Sequence, residues 1–219
     1  INKKSEKSLI NQFISNLKKD YLRKIKRNER FSFLLTGGKS PIRLYRKLAG
    51  INIDWNYVDF FWGDERYVSH LSKNSNYKLA FDEFIKKIKI NKKNLFPINT
   101  SLKSISKSSL TYTKVLKNYF KNKIISFDFF LLGMGKDGHI ASIFPNSAEL
   151  SKKFITKPVY RKDFKRITIS LSVINNSKKN ILWLNNKFKS KIFDKLKTKG
   201  KMIPVNNLNK KKSLIYKIN

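Results

Sequence analysis

Seven residues past the middle of the chain, Gly133-Met134-Gly135-Lys136-Asp137-Gly138-His139, hold the sharpest chemical possibility in the sequence. Three glycines surround one of only two histidines, directly after the apolar run Phe127 to Leu132. Histidine changes charge near neutral pH, so it can take a proton from water and later give it back. Asp137, two residues earlier, is close enough to fix the imidazole tautomer or to contact substrate hydroxyls. The following Ile140-Ala141-Ser142-Ile143-Phe144 reads as a helical turn with His139 near its start, whose positive end favours the neutral ring. A histidine that merely caps a helix is the competing reading.

Two further loops carry polar groups of the right kind. Thr36-Gly37-Gly38-Lys39-Ser40 combines backbone freedom, two hydroxyls and a cation just before a helix, a combination suited to holding phosphate. It lacks the spacing of a Walker loop, and an ordinary strand-to-helix turn would look the same. Gly63-Asp64-Glu65-Arg66 puts two carboxylates and an arginine just past an apolar strand, where they can clamp a polar substrate or form a solvated turn. His70, in Ser69-His70-Leu71-Ser72, reads as a surface histidine. With two histidines far apart and no cysteine, a zinc site has little support, and thiolate nucleophiles and disulfides are excluded. No G-x-S-x-G elbow is present, although a Ser-His-Asp triad stays open.

The elements that must position these loops alternate. Leu9, Ile10, Phe13, Ile14 and Leu17 recur at helical spacing, so the first thirty residues read as one amphipathic helix. Phe31 to Leu35 is a short apolar strand. Ser40 and Pro41 mark a helix start, and Gly50 its end, as a residue tolerant of positive φ. Tyr57 to Trp62 is a strand, followed by a polar loop through Asn76 and a helix from Tyr77 to about Ile88. A Ser- and Lys-rich loop from Thr100 to Ser109 leads into another helix. Phe127 to Leu132, nearly all apolar, reads as a strand buried on both faces. Ile167 to Val173, Asn180 to Leu184 and Ser213 to Ile218 are further strands, with a helix from Phe188 to Leu196. This alternation predicts an α/β fold with a mainly parallel sheet, in which ligands bind beyond the carboxyl ends of the strands. The three polar loops each follow an apolar strand, so they can converge on one rim.

Composition bounds the rest. A chain of 219 residues can bury one sizeable core, and the expectation is one domain over 1–219. No apolar run reaches the roughly 18 residues that span a bilayer, and no secretory leader is read, so a cytoplasmic protein without membrane contact is expected. The formal net charge of +35 invites a nucleic-acid reading. Only eight of the 49 basic residues are Arg, however, and the lysines are spread along the chain rather than clustered. An AT-rich genome explains that bias more simply, so no specific nucleic-acid partner is expected. The charge would still attract small phosphorylated anions.

Taken in order, Thr36-Gly37-Gly38-Lys39-Ser40-Pro41, Phe61-Trp62-Gly63-Asp64-Glu65-Arg66, Asn74-Ser75-Asn76-Tyr77, Gly138-His139-Ile140-Ala141-Ser142-Ile143-Phe144-Pro145 and Arg166-Ile167-Thr168-Ile169 resemble the 6-phosphogluconolactonases related to glucosamine-6-phosphate isomerases. The continuation after His139 looks like the lactonase branch. The resemblance implies a Rossmann-like sheet flanked by helices and hydrolysis of 6-phosphoglucono-1,5-lactone with no metal or organic cofactor. It implies His139 as general base, assisted by Asp137. It further implies substrate contacts from Thr36, Gly37, Gly38, Lys39, Ser40, Asp64, Arg66, Asn76, Gly135 and Lys191; a monomer or weak homo-oligomer is expected. Lys39 stands where the family usually has a hydroxyl. Lys189 and Lys191 flank the position of a family lysine, and the arginine often found near Ile203 to Asn207 is missing. The strand that usually precedes the first helix is expected to be missing or trimmed. A sugar-phosphate isomerase or deaminase on the same fold, and a basic nucleic-acid-binding protein, are the alternatives.

Overall fold

Strands that must be covered on both faces cannot alternate polar and apolar residues. The runs 31–35, 58–62, 129–132 and 180–184 do not alternate, and every residue in them is buried. In the computed structural model, which describes residues 1–150 and 154–219, these runs form the middle of one parallel sheet. Along the chain the strands are β1 (Asn2–Lys3), β2 (Phe31–Leu35), β3 (Val58–Trp62), β4 (Asp64–Arg66), β5 (Leu95–Phe96), β6 (Phe129–Leu132), β7 (Thr156–Tyr160), β8 (Lys165–Ile169), β9 (Asn180–Leu184) and β10 (Ser213–Ile218). The helices are α1 (Glu6–Ile25), α2 (Ile42–Leu48), α3 (Asn76–Glu83), α4 (Ile105–Tyr119), α5 (Leu171–Asn176) and α6 (Lys187–Leu196).

The main sheet has seven strands in the order β1-β10-β9-β6-β2-β3-β5, every neighbouring pair parallel. From β2 the chain first builds outward through β3 and β5, then crosses back to lay β6 on the other side. The carboxyl ends of β2 and β6 therefore flank the topological switch point, where α/β sheets bind ligands. A three-stranded antiparallel sheet, β4-β8-β7, sits beside it, tied to α4 by Thr156, whose hydroxyl donates to the Ser109 carbonyl at 2.7 Å. That sheet is absent from the sequence reading.

Aromatic side chains fill the interior. Phe13 of α1 lies edge-on to Phe129 at 5.3 Å and to Trp183 at 5.7 Å, fastening the helix across β6 and β9. On the other face Phe61 stacks on Phe96 at 4.7 Å. Emptying such a site by Phe→Ala costs about 3–5 kcal/mol, so the rim above these strands stands on a stiff base.

Several expectations need correction. The first helix begins at Glu6, with the Ser5 hydroxyl accepting the Ser8 N–H, and ends at Ile25. The strand expected to be missing or trimmed before it is two residues long, Asn2 opposite Lys217 and Lys3 opposite Ile218. The α2 helix starts at Ile42 without a side-chain cap from Ser40, and closes through Ala49 in ordinary helical geometry, so Gly50 needs no positive φ. The helix after Asn76 stops at Glu83 and continues as a tight 3₁₀ turn, Ile85–Lys87. The strand read over Ile167 to Val173 ends at Ile169, because the Ser170 hydroxyl accepts the Val173 N–H and starts α5.

Candidate active site

At the switch point the loops after β2 and β6, strand β4 and the start of α3 enclose a cleft of about 150 Å³. Thr36, Gly37, Gly38, Lys39 and Ser40 line it from the first loop, Asp64, Arg66 and Asn76 from the second region, and Gly135 and His139 from the third. Lys189 closes the remaining side. The convergence read from the sequence is therefore present, with one lysine exchanged.

His139 Nδ1 lies 2.7 Å from Asp137 Oδ1, and the His139 backbone N–H donates to the same oxygen at 3.1 Å. Burial works against the charge of Asp137, but these His139 bonds outweigh it and hold the carboxyl below its ordinary range. A carboxylate at Nδ1 accepts a hydrogen bond from that nitrogen's N–H and leaves Nε2 as the proton acceptor. The helix expected after His139 does not form. Ile140 to Ile143 make a tight turn closed by the Ile143 N–H on the Ile140 carbonyl at 3.0 Å, with Ala141 at φ +48°. Asp137 is thus placed to set the tautomer, one of the two roles read for it, and no helix end lies at the ring.

The glycines have separate tasks. Gly138 sits at φ +87°, and a Cβ there would meet Ile203 Cγ2 at 2.4 Å. A Cβ on Gly135 would meet the His139 ring at 2.2 Å, so the bare backbone is what lets the imidazole lie where it does. The ring packs on Phe144, centroids 4.6 Å apart. Backbone N–H groups of this turn are spent inside the protein: Gly133 donates to Thr36 Oγ1 at 3.2 Å, Gly135 to the His139 carbonyl at 2.9 Å, and Gly138 to the Gly135 carbonyl at 3.1 Å. Those three glycines hold the turn's shape and do not supply oxyanion donors.

The opposite wall suits an anion. Tyr45, fully buried, donates its hydroxyl to the Thr36 carbonyl at 2.6 Å and accepts the Thr36 N–H at 3.0 Å, pinning the start of the first loop. Trp183 Nε1 donates to the Ser40 carbonyl at 3.2 Å and pins its end. Between them the N–H groups of Gly37, Gly38 and Lys39 have no acceptor among the described residues. Gly38 is at φ +79°, and a Cβ on Gly37 would land 1.8 Å from Asn76 Oδ1. That oxygen is itself buried without a partner among the described residues. Asn76 Nδ2 donates to the Asp64 carbonyl at 3.0 Å and to Asp64 Oδ1 at 3.2 Å, while Asp64 Oδ2 accepts the Ser142 hydroxyl at 2.6 Å. Asp64 therefore braces the wall. Arg66 Nη1 donates to the Asn74 carbonyl at 2.8 Å and has no carboxylate partner among the described residues.

Lys189 Nζ donates to the Met134 carbonyl at 3.0 Å, and burial lowers its pKa below the ordinary lysine value. Lys191 is exposed and does not line the cleft. The two residues differ by about 200° around the helix, with buried Ser190 between them accepting the Ile218 N–H at 3.1 Å. The cleft thus has Lys189 where Lys191 was expected. His70 is half-buried, not on the surface: Nε2 sits 2.9 Å from the Ile98 carbonyl and the ring stacks on Tyr77 at 4.5 Å, with burial lowering its pKa. No serine hydroxyl bonds either histidine ring, and no group of three or more His, Asp or Glu is placed to hold a metal, among the described residues. No helix among them is long and apolar enough to cross a membrane.

The parallel sheet, its switch-point cleft and the Asp137–His139 pair can be set beside known proteins. The chain belongs to the glucosamine-6-phosphate isomerases/6-phosphogluconolactonase family, whose model matches residues 4–216. It is 40% identical over 167 residues to "Probable 6-phosphogluconolactonase 4, chloroplastic" of Oryza sativa subsp. indica, covering 67% of this chain and 50% of that protein. It is 34% identical over 148 residues to the 6-phosphogluconolactonase of a Synechocystis strain, covering 66% and 62%. The chain thus spans about half the length of the rice relative that it matches. In fold it is similar to the 6-phosphogluconolactonase of Thermotoga maritima, with a TM-score of 0.87 and 24% identity over 100% of this chain and 97% of that one.

Proposed function

We propose that the protein hydrolyses 6-phosphoglucono-1,5-lactone to 6-phosphogluconate. The observation that carries this reading is His139, paired at Nδ1 with Asp137 so that Nε2 is the acceptor, and lining the same cleft as Lys39, Arg66 and Lys189. His139 Nε2 takes a proton from water as the water oxygen bonds to C1. The tetrahedral adduct then collapses, the bond between C1 and the ring oxygen breaks, and the imidazolium returns its proton to that oxygen. The proton count closes and His139 ends neutral. Lys189, Arg66 and the N–H groups of Gly37, Gly38 and Lys39 hold the phosphate, while Lys39 adds a cation at the open side. A lactone is an activated ester, so a base contributing about 10²–10⁴-fold and a fixed phosphate suffice.

The test is lactone hydrolysis, corrected for the spontaneous rate, by wild type beside His139→Ala. Loss of catalysed turnover in the variant is expected, and equal rates would remove the base assignment. Ammonia release from glucosamine-6-phosphate without lactone hydrolysis would move the activity to the isomerase side of the family. We place the protein in the cytoplasm, the simplest home for a cysteine-free chain, as a monomer or weak homo-oligomer. Imaging of a tagged chain and sedimentation at micromolar concentration test both, and a plastid signal would favour the compartment in the rice relative's name.

A further inference from the structure

Resting on the reading above, we propose that Glu65 is a positioning residue that touches no substrate and holds Arg66 and Asn76 in place at the anion wall. Along β4 the side chains alternate, so Asp64 and Arg66 line the cleft while Glu65 turns away and is 0% exposed. Four donors converge on its carboxylate. Oε1 accepts the backbone N–H of Arg66 at 2.8 Å and of Asn76 at 2.7 Å. Oε2 accepts the Tyr77 N–H at 2.7 Å and the Ser75 hydroxyl at 3.0 Å.

These partners single the residue out. No lysine or arginine forms an ion pair with Glu65 among the described residues, so its charge is met by backbone groups, three of them N–H donors at β4 and the start of α3. All four donors belong to segments that carry or precede cleft residues, and none belongs to the main sheet. The bonds also close a circuit. Arg66 leans on the Asn74 carbonyl, the residues after Asn74 are fixed by Glu65, and Glu65 is fixed to the backbone of Arg66 itself. Asn76, whose amide braces Asp64, hangs from the same carboxylate. A buried acid serving stability alone would have no reason to gather both supports of the anion wall.

The experiment uses the full chain at pH 8, above the value of about 7 to which burial pushes Glu65. Glu65→Gln keeps the shape but replaces one accepting oxygen with a donor that faces donors. The expected result is a KM for the lactone raised about tenfold or more with kcat within about threefold, and inorganic phosphate affinity, read by calorimetry, lowered by a similar factor. Ser75→Ala, which leaves the buried charge but removes one of its donors together with the Ser75 cap on the Lys78 N–H, should raise KM and the phosphate dissociation constant about two- to tenfold if Glu65→Gln does not fold. A folded Glu65→Gln with unchanged KM and phosphate affinity overturns the proposal, as does a fall confined to kcat. Phosphate binding needs no turnover, which separates the two failures. A wild type that binds phosphate, loses it on Glu65→Gln and hydrolyses no lactone supports the positioning role and sinks the lactonase reading. Wild type that binds no phosphate removes the wall's role and the proposal with it.

Discussion

Replacing Gly135 by Ala tests the catalytic geometry with one methyl group. Its Cβ would fall 2.2 Å from Cε1 and Nδ1 of His139 and 2.8 Å from Asp137 Oδ1, whereas ordinary contact begins near 3.4 Å. The ring must therefore retreat by 3.4 minus 2.2, or about 1.2 Å, from a position in which it already packs on Phe144, centroids 4.6 Å apart. A displacement of about 1 Å at a reacting group costs roughly 10²-fold in rate, which corresponds to about 2.7 kcal/mol in the barrier. Gly135 does not occupy the left-handed region, so the alanine adds no backbone strain and the fold should bear an overpacking cost of about 1–3 kcal/mol. The assay is kcat for the lactone against the spontaneous rate, with phosphate affinity measured on the same preparation. We expect kcat to fall about a hundredfold while phosphate affinity holds, because Lys189 and the 36–40 loop are untouched. A folded Gly135→Ala with kcat within about threefold of wild type would refute the geometric argument. A parallel collapse of kcat and phosphate affinity would refute its locality.

Other perturbations should separate in the same way. Lys189→Met should raise KM about tenfold or more through loss of a charge-assisted phosphate contact, whereas Lys191→Met should leave it unchanged; kinetics on the pair decides between the two lysines. Asp137→Asn replaces a charged acceptor by a neutral one at Nδ1 and should lower kcat about five- to thirtyfold, with phosphate affinity as the internal control. Glu65, pushed from 4.5 up to about 7, binds more protons folded than unfolded between those values, so its contribution to stability falls as pH rises from about 4.5 to 7. That loss is on the order of 3 kcal/mol in wild type and should be absent in Glu65→Gln, as denaturant unfolding at pH 5 and 8 would show. Because the net charge of +35 draws anions from a distance, kcat/KM should drop several-fold as salt rises to about 0.5 M while kcat stays level.

The parts of the fold that could be read from the residues are those in which one-dimensional pattern and three-dimensional burial coincide. Phe31–Leu35, Phe129–Leu132 and Asn180–Leu184 are nearly all apolar and do not alternate because they are covered on both faces, so their type and their place in a parallel sheet follow directly. Thr156–Tyr160 carries no such mark: it is largely half-exposed and contains Pro158, which argues against a strand unless it lies at an edge, as β7 does in the order β4-β8-β7. The helix expected after His139 failed for a related reason. Ile140, Ser142 and Ile143 are buried, but they are buried by a turn with Ala141 at positive φ, a conformation that apolar spacing does not encode. Residues 1–3 were too few to show a period, and only their pairing with Lys217 and Ile218 makes them a strand.

The same distinction explains which site residues were legible. Thr36 to Ser40, Asp64, Arg66 and His139 follow strand ends, and the rim rule places whatever comes there. Lys189 lies within a helix, where a shift of two positions turns a side chain nearly to the opposite face, so choosing among neighbouring lysines needed the phase of α6. That phase was present in the chain, although not in the lysines. Asn186 accepts the Lys189 N–H as the cap of α6, and Phe193 and Leu196 mark its buried face. Counted from the cap, residue 189 lies in the first turn, at the carboxyl end of β9 where the rim is, and residue 191 has already rotated to the outside. Glu65 was harder still, because its importance lies in who donates to it. Three of those donors are backbone N–H groups, which every residue but proline carries. A side chain whose partners are main-chain atoms leaves no pattern of residue types to find, and only the path of the chain shows that they converge on one carboxylate.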